Sequence, residues 1–169
     1  PSIIVVHPSL AANSVKELIA LARAKPGELN YATTGGGSSS YLAGELFKSL
    51  AGVNIVNISY KGVGLALTDL IAGRVQLMIP PSTATAPHVK SGKLRALAVT
   101  STEPSPFYPG LPTAAAAGLP GYEMVSRTGV FAPAKTPAAI IKRLNQELVR
   151  YLQGAEAKQK FLNVGVETV

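Results

Sequence analysis

The chain alternates between short apolar runs and longer stretches that carry a helical apolar stripe. Ser2 to Val6 is almost wholly apolar, as a strand covered on both faces would be. In residues 14–23, Val15, Leu18, Ile19 and Ala22 recur at i, i+3, i+4 and i+7, and this spacing predicts an amphipathic helix. Ser14 and Glu17 fit a capping box at its start, and Lys25-Pro26-Gly27 ends it. Leu29 to Ala32 reads as a short strand. Leu42, Ala43, Leu46, Phe47 and Leu50 give the next helix its buried face. Val53 to Tyr60 is rich in β-branched residues and predicts a strand. Leu65 to Gly73 reads as a short helix, and Val75–Ile79 and Leu94–Thr100 as further strands. Strands alternating with helices imply βαβ units, hence an α/β fold with a mostly parallel sheet and flanking helices.

From Ser101 to Gly121 prolines recur and charge is sparse, which predicts a long connection around one short Ala-rich helix. Residues 125–134 read as a returning strand. Residues 136–152 carry the clearest helical pattern, with Thr136 as N-cap, Pro137 at the favoured first position, and Ile140, Ile141, Leu144, Leu148 and Tyr151 on one face. A last helix and a strand-like stretch from Gly165 to Val169 follow. No internal repeat is visible.

Composition narrows the classes. With 169 residues, 47% of them hydrophobic, the chain suits one ordinary domain or two small lobes with a real core. No apolar run is long enough to span a membrane. The chain opens at Pro1, directly into the first strand, as a mature product or a fragment would. The lack of cysteine excludes disulfides and thiolate metal sites. The net charge is +7, but Lys16, Arg23 and Lys25 fall on one helix and Lys142, Arg143 and Arg150 on another. Scattered cations of this kind favour small anions over nucleic acid.

The chemistry concentrates in one place. Gly35, Gly36 and Gly37, then Ser38, Ser39 and Ser40, stand between a predicted strand and a predicted helix. In an open α/β sheet that is where ligands sit, and a helix N-terminus offers free N–H groups and partial positive charge. Two readings are open on these residues alone: a turn whose serine merely caps the helix, or a seat for phosphate or carboxylate. The Walker pattern is absent, and the dinucleotide pattern fails where Ser40 replaces the third glycine. The run from Gly62 fails at the same point. Tyr60 and Lys61 form a second polar stretch at a strand end, able to flank the same cleft or simply to face solvent. His7 and His88 read as surface or capping residues, His88 in a loop. Glu17, Glu28, Glu45 and Asp69 are scattered, and no nucleophile elbow appears. No catalytic residue, metal set or cofactor site is predicted.

Taken together, residues 27–78, with Ser91–Ser101, Pro112–Glu123 and Gly129–Leu148, closely resemble the periplasmic solute receptors of tripartite tricarboxylate transporters, the Bug-type receptors. The resemblance covers nearly the whole chain, in order and spacing. It implies two α/β lobes around a cleft, no enzymatic activity and no cofactor. It also implies periplasmic capture of a small organic acid and delivery to a membrane permease. On this resemblance the second-lobe grip corresponds to Thr34, Gly35, Gly36, Gly37, Ser38, Ser39, Ser40 and Tyr41, and a cleft-lining stretch to Tyr60, Lys61 and Gly62.

Three departures stand out. The family commonly reads Phe-Asp-Asn where this chain has Ile79, Pro80 and Pro81, so a side-chain acceptor or donor is missing from that strand end. Arg127, Thr128 and Gly129 replace a Trp-Phe-Gly pattern. Family members are also nearly twice as long. The chain is therefore expected to hold the second ligand-binding lobe over residues 2–122 and a crossover returning to an incomplete first lobe over 123–169. The apolar face of the helix at 136–152 then calls for a partner, such as a second copy of the chain in a homodimer. Two alternative functions stay open: an α/β enzyme holding a phosphorylated or nucleotide ligand at the Gly/Ser loop, or a decayed receptor serving as a sensor or interaction module.

Overall fold

The computed structural model describes residues 2–126, 129–163 and 166. They group into two compact units, the first running to Ser126 and the second taking the remainder.

The first unit is built on a five-stranded sheet in the order β3-β2-β4-β1-β5. Its strands are β1 (Ile3–Val6), β2 (Asn30–Thr33), β3 (Val56–Ser59), β4 (Leu77–Met78) and β5 (Arg95–Val99). The expected α/β architecture is present, but the sheet is mixed. β2 pairs in parallel with β3 and with β4, whereas β1 pairs antiparallel with both β4 and β5. Four strands thus run one way, and β1 runs against them from inside the sheet. All four β1 residues are fully buried, as its unbroken apolar run requires. That pattern reports coverage on both faces and carries no strand direction.

The helices of this unit are α1 (Val15–Ala24), α2 (Ser39–Ala51), α3 (Val63–Ile71) and α4 (Ser82–Lys90). On one face Val15, Leu18, Ile19 and Ala22 of α1 join Ala43, Phe47 and Ala51 of α2 over Ile4, Val6, Tyr31 and Leu77. On the other, Ala66, Leu67 and Leu70 of α3 cover Ile3, Val5, Ala32, Met78 and Val99, with Ala84 and Val89 of α4 packed against them. The capping box at α1 is half formed. Ser14 Oγ accepts from the Glu17 amide at 3.2 Å, but the Glu17 carboxylate takes the Asn13 amide at 2.8 Å.

Several contacts fix α2 over the sheet. Gly44 lets it lie flat on Tyr31, because a Cβ there would overlap the ring. The Tyr31 hydroxyl donates to Glu45 at 2.5 Å, and Lys48 donates to the same carboxylate at 2.9 Å. From the far side of the sequence, buried Tyr122 donates to the Ala43 carbonyl at 2.9 Å and meets Phe47 edge-on.

α4 was not predicted, so His88 stands in the last turn of a helix, not in a loop. Pro80, Pro81 and Pro87 and a weak apolar stripe hide that helix. The signal that could have found it is Ser82-Thr83 just after a proline, with His88 and Lys90 in the closing turn. The expected Ala-rich helix is a single hydrogen-bonded turn at 113–118. No strand occurs among the described residues of 125–134.

The second unit holds α5 (Ala138–Gln153) and α6 (Ala155–Asn163). α5 begins one residue later than its sequence predicts. Pro137, not Thr136, is the N-cap, and its carbonyl accepts the first helical amides. The predicted stripe is there, yet no residue of α5 is buried, and Ile140 and Leu144 are about half exposed. Arg127 and Thr128, and all of the final stretch except Val166, lie outside the described residues.

Candidate functional site

The carboxyl ends of β2, β3 and β4 lie together along one edge of the sheet, since these strands are parallel neighbours. α2, α3 and α4 each start within a few residues of that edge. Three helix N-termini therefore bring unpaired amides and partial positive charge to one place.

The β2–α2 loop is a backbone-lined seat. Gly35 and Gly37 adopt φ of 108° and 78°, a region in which a Cβ is strained. Ser38 is the N-cap of α2: its Oγ accepts from the Tyr41 amide at 3.2 Å and donates to the Gly35 carbonyl at 2.8 Å. Ser40 is buried. Its Oγ accepts from the Thr34 amide at 3.2 Å and stands 3.1 Å from Ser38 Oγ and 3.4 Å from Thr34 Oγ1. Thr34, Ser38 and Ser40 thus spend their hydroxyls bracing the loop from within. The N–H groups of Gly36, Gly37, Ser39 and Ser40 donate to no described residue. Gly36 and Gly37 are exposed, and a Cβ on either would meet nothing within 4 Å. A carboxylate or phosphate oxygen could approach these amides without obstruction, with the Ser39 hydroxyl beside them. Tyr41, half-buried in the first turn of α2, gives its amide to the cap.

The β3–α3 junction is built differently. The Tyr60 amide extends the sheet ladder to the Thr33 carbonyl at 2.8 Å. Its hydroxyl donates to Asp69 at 2.9 Å, and Arg74 holds the other carboxylate oxygen at 2.8 Å. Burial first, and then the bond to Asp69, raise the Tyr60 phenol. Arg74 first, and then Tyr60, hold the Asp69 carboxyl below the usual carboxylate range. The hydroxyl is thereby committed to α3. Lys61 is exposed and makes no hydrogen bond or ion pair with a described residue. Gly62 caps α3 in an extended conformation and brings no side-chain cap.

At the third junction Ile79 and Pro80 are buried and Pro81 is the N-cap of α4, again without a capping side chain. His7, the other candidate, places Nδ1 2.7 Å from Ser9 Oγ. Among the described residues no cluster of His, Cys, Asp or Glu could hold a metal ion, and no helix is long and apolar enough to cross a membrane.

Comparison with known proteins defines the class. The family profile described as tripartite tricarboxylate transporter family receptor matches residues 1–169, and the chain belongs to that family. Over 99% of its length it is 37% identical to a UPF0065 protein encoded in the tcbD-tcbE intergenic region of a Pseudomonas species. It is also 37% identical to protein BugT of Bordetella pertussis over its whole length. The chain spans about half the length of these relatives, 50% and 52%. Among solved structures, Rhodopseudomonas palustris Rpa4515 with adipate superposes with a TM-score of 0.92 at 40% identity, covering 99% of this chain and 56% of that one. The periplasmic binding protein BugD (TM-score 0.83, 30% identity) and Rhodopseudomonas palustris MatC with bound malate (0.84, 28%) share the fold over 99% of this chain and 56% and 57% of theirs.

Proposed function

We propose that the protein is a non-catalytic receptor that captures a small organic carboxylate in the periplasm and hands it to a membrane permease. The observation that carries this reading is the β2–α2 loop. Thr34, Ser38 and Ser40 are turned inward as braces, and its open face is a row of amides at a helix N-terminus. Such a surface stabilises negative charge without supplying a base, a nucleophile or a metal ligand. The ligands in the related structures, adipate and malate, are acids of the kind this seat suits. In this reading residues 2–122 form the second ligand-binding lobe, and 123–169 form the crossover and C-terminal segment that belong with the other lobe. Thr34 through Tyr41 make the grip. Lys61 adds favourable potential, and Tyr60 and Gly62 shape the neighbouring wall.

The test is a thermal-shift screen of organic acids on the longest form of the protein that its gene encodes, because a ligand selective for the native state raises the melting temperature. At least one carboxylate should give a concentration-dependent rise that Gly37→Val abolishes. A screen in which no acid shifts the transition, or in which the variant responds as the parent does, overturns the reading.

A further inference from the structure

A hollow lies away from the grip, at the other edge of the sheet. β1 pairs antiparallel with both β4 and β5, so β5 runs alongside β2, β3 and β4. Its first residue, Arg95, therefore marks the amino edge. β1, running the other way, ends there too, with Pro8 close behind. The grip follows β2 at the opposite, carboxyl edge. β5 is also an outer strand, three places from β2, or roughly 14 Å across the sheet. A small acid held by the loop at 34–41 does not reach this corner.

Between the C-terminal half of α4, the start of β5 and the loop at 107–111 is a cavity of about 780 Å³, within the roughly 300–1,000 Å³ of small-molecule sites. Val89, Leu94, Ala96, Tyr108 and Leu111 wall it. Leu94 is buried, and the other four pack against the same core cluster on the α3 face of the sheet. Tyr108 is held further by its hydrogen bond to the Ser82 carbonyl at 3.1 Å. The apolar wall is therefore in place before anything binds. Phe107, half-buried, and Pro109, exposed, continue it outward. The charged lining residues are Lys90 and Arg95, and among the described residues no carboxylate lines the cavity. Arg95 is fixed: its Nη1 donates to the Leu10 and Ala12 carbonyls at 3.2 Å each, and Nε and Nη2 have no partner among the described residues. Lys90 is exposed and makes no hydrogen bond or ion pair with a described residue. The helix dipole accounts for a lysine in the last turn of α4, but not for an apolar hollow beside two unneutralised cations. A cationic ligand is repelled there, and a small hydrophilic anion leaves the wall wet. A molecule with an aromatic ring and one acid group meets both features, because the ring adds aromatic contacts with Phe107 and Tyr108 to the burial of the wall.

We propose that this hollow is a binding site for an aromatic anion, separate from the grip, with the ring against the apolar wall and the acid group toward Lys90 and Arg95. Calorimetric titration of the longest encoded form of the protein with naphthoate is the test, beside naphthylmethanol, its neutral counterpart, and octanoate, an alkyl acid. Naphthoate should bind more tightly than either. Lys90→Glu should weaken naphthoate by roughly tenfold or more through reversed charge and leave naphthylmethanol unmoved. Ala86→Trp, at an exposed position of α4 that borders the hollow, should abolish the binding of both. Both variants change exposed residues, and unchanged melting temperatures should show that they fold. Gly37→Val should leave naphthoate binding as it is in the parent, which keeps this site distinct from the grip. Absence of naphthoate binding, or binding that neither Lys90→Glu nor Ala86→Trp alters, overturns the proposal. Loss of naphthoate in Gly37→Val also overturns it, by placing the acid in the grip. Octanoate binding as tightly as naphthoate overturns the assignment to an aromatic ligand.

Discussion

The β2–α2 and β3–α3 junctions stand side by side on the same sheet edge, follow parallel strands and open into helices, yet they present opposite surfaces. At the first, Thr34, Ser38 and Ser40 fold their hydroxyls under the loop and leave amides outermost. At the second, Tyr60 turns its hydroxyl to Asp69 of α3, and the exposed group is the ammonium of Lys61. The difference separates two ways of attracting an anion. Fixed dipoles at a helix end act at contact distance and need no ordering when the ligand arrives. A surface lysine acts at longer range, and salt screens it. Binding strength should therefore reside in the first junction and association rate in the second.

The largest expected effect comes from blocking the amides. Gly37→Val places a branched side chain at φ 78°, directly in the open space over the loop, and should lower carboxylate affinity at least a hundredfold by calorimetry. Retained affinity in a folded variant would put the binding at another junction. Gly44→Ala tests the support beneath. Its methyl would meet the Tyr31 ring, and overpacking of this kind costs about 1–3 kcal/mol. Chemical denaturation should show that loss. If α2 shifts to relieve the clash, affinity should fall too, because the seat moves with its helix. Ser38→Ala removes the cap and the brace to Gly35 together. It should cost about 1 kcal/mol of stability and reduce affinity less than Gly37→Val, since the amides remain.

How much of this was legible in the chain follows from what kind of information each feature needs. The stripe of α1 and the glycine–serine loop are local patterns, and both are where the sequence puts them. The place of β1 between β4 and β5 depends on pairing between residues 71 to 96 positions apart, which no local apolar run encodes. α4 escaped because three prolines and a thin stripe mask a helix held by its neighbours. The α5 pattern predicted a helix correctly and could not say what covers it. At the site, the run of serines and glycines left a capping turn and an anion seat both open, and the family resemblance favoured the seat; which serines brace and which amides remain open is set by Gly35 and Gly37 turning the backbone. Tyr60 was matched to the cleft, and only the structure shows Asp69 drawing its hydroxyl into α3.

The second junction makes smaller predictions. Lys61→Gln should slow association severalfold at low salt with little change in the dissociation rate, and the difference should vanish near 1 M salt, where charges are screened within about 3 Å. A change confined to dissociation would mean that the ammonium touches the ligand.

Tyr60→Phe should have the smallest effect on binding and the most telling one on stability. With its hydroxyl given to Asp69, its loss should leave affinity within about twofold and cost about 1 kcal/mol of stability, the worth of one hydrogen bond. The pH dependence identifies the partner. The Asp69 carboxyl lies below its unfolded value because Arg74 and Tyr60 favour the charged form. Its contribution is thus complete above the unfolded value of about 3.9 and is lost as the pH falls through the lower folded value. The parent should therefore lose stability more steeply below pH 4 than Asp69→Asn, which has no carboxylate there to protonate. Tyr60→Phe should fall between them, because Arg74 still holds Asp69. If Tyr60→Phe instead weakened carboxylate binding tenfold with an unchanged acid limb, the hydroxyl would be acting on the ligand, and the two junctions would share one grip.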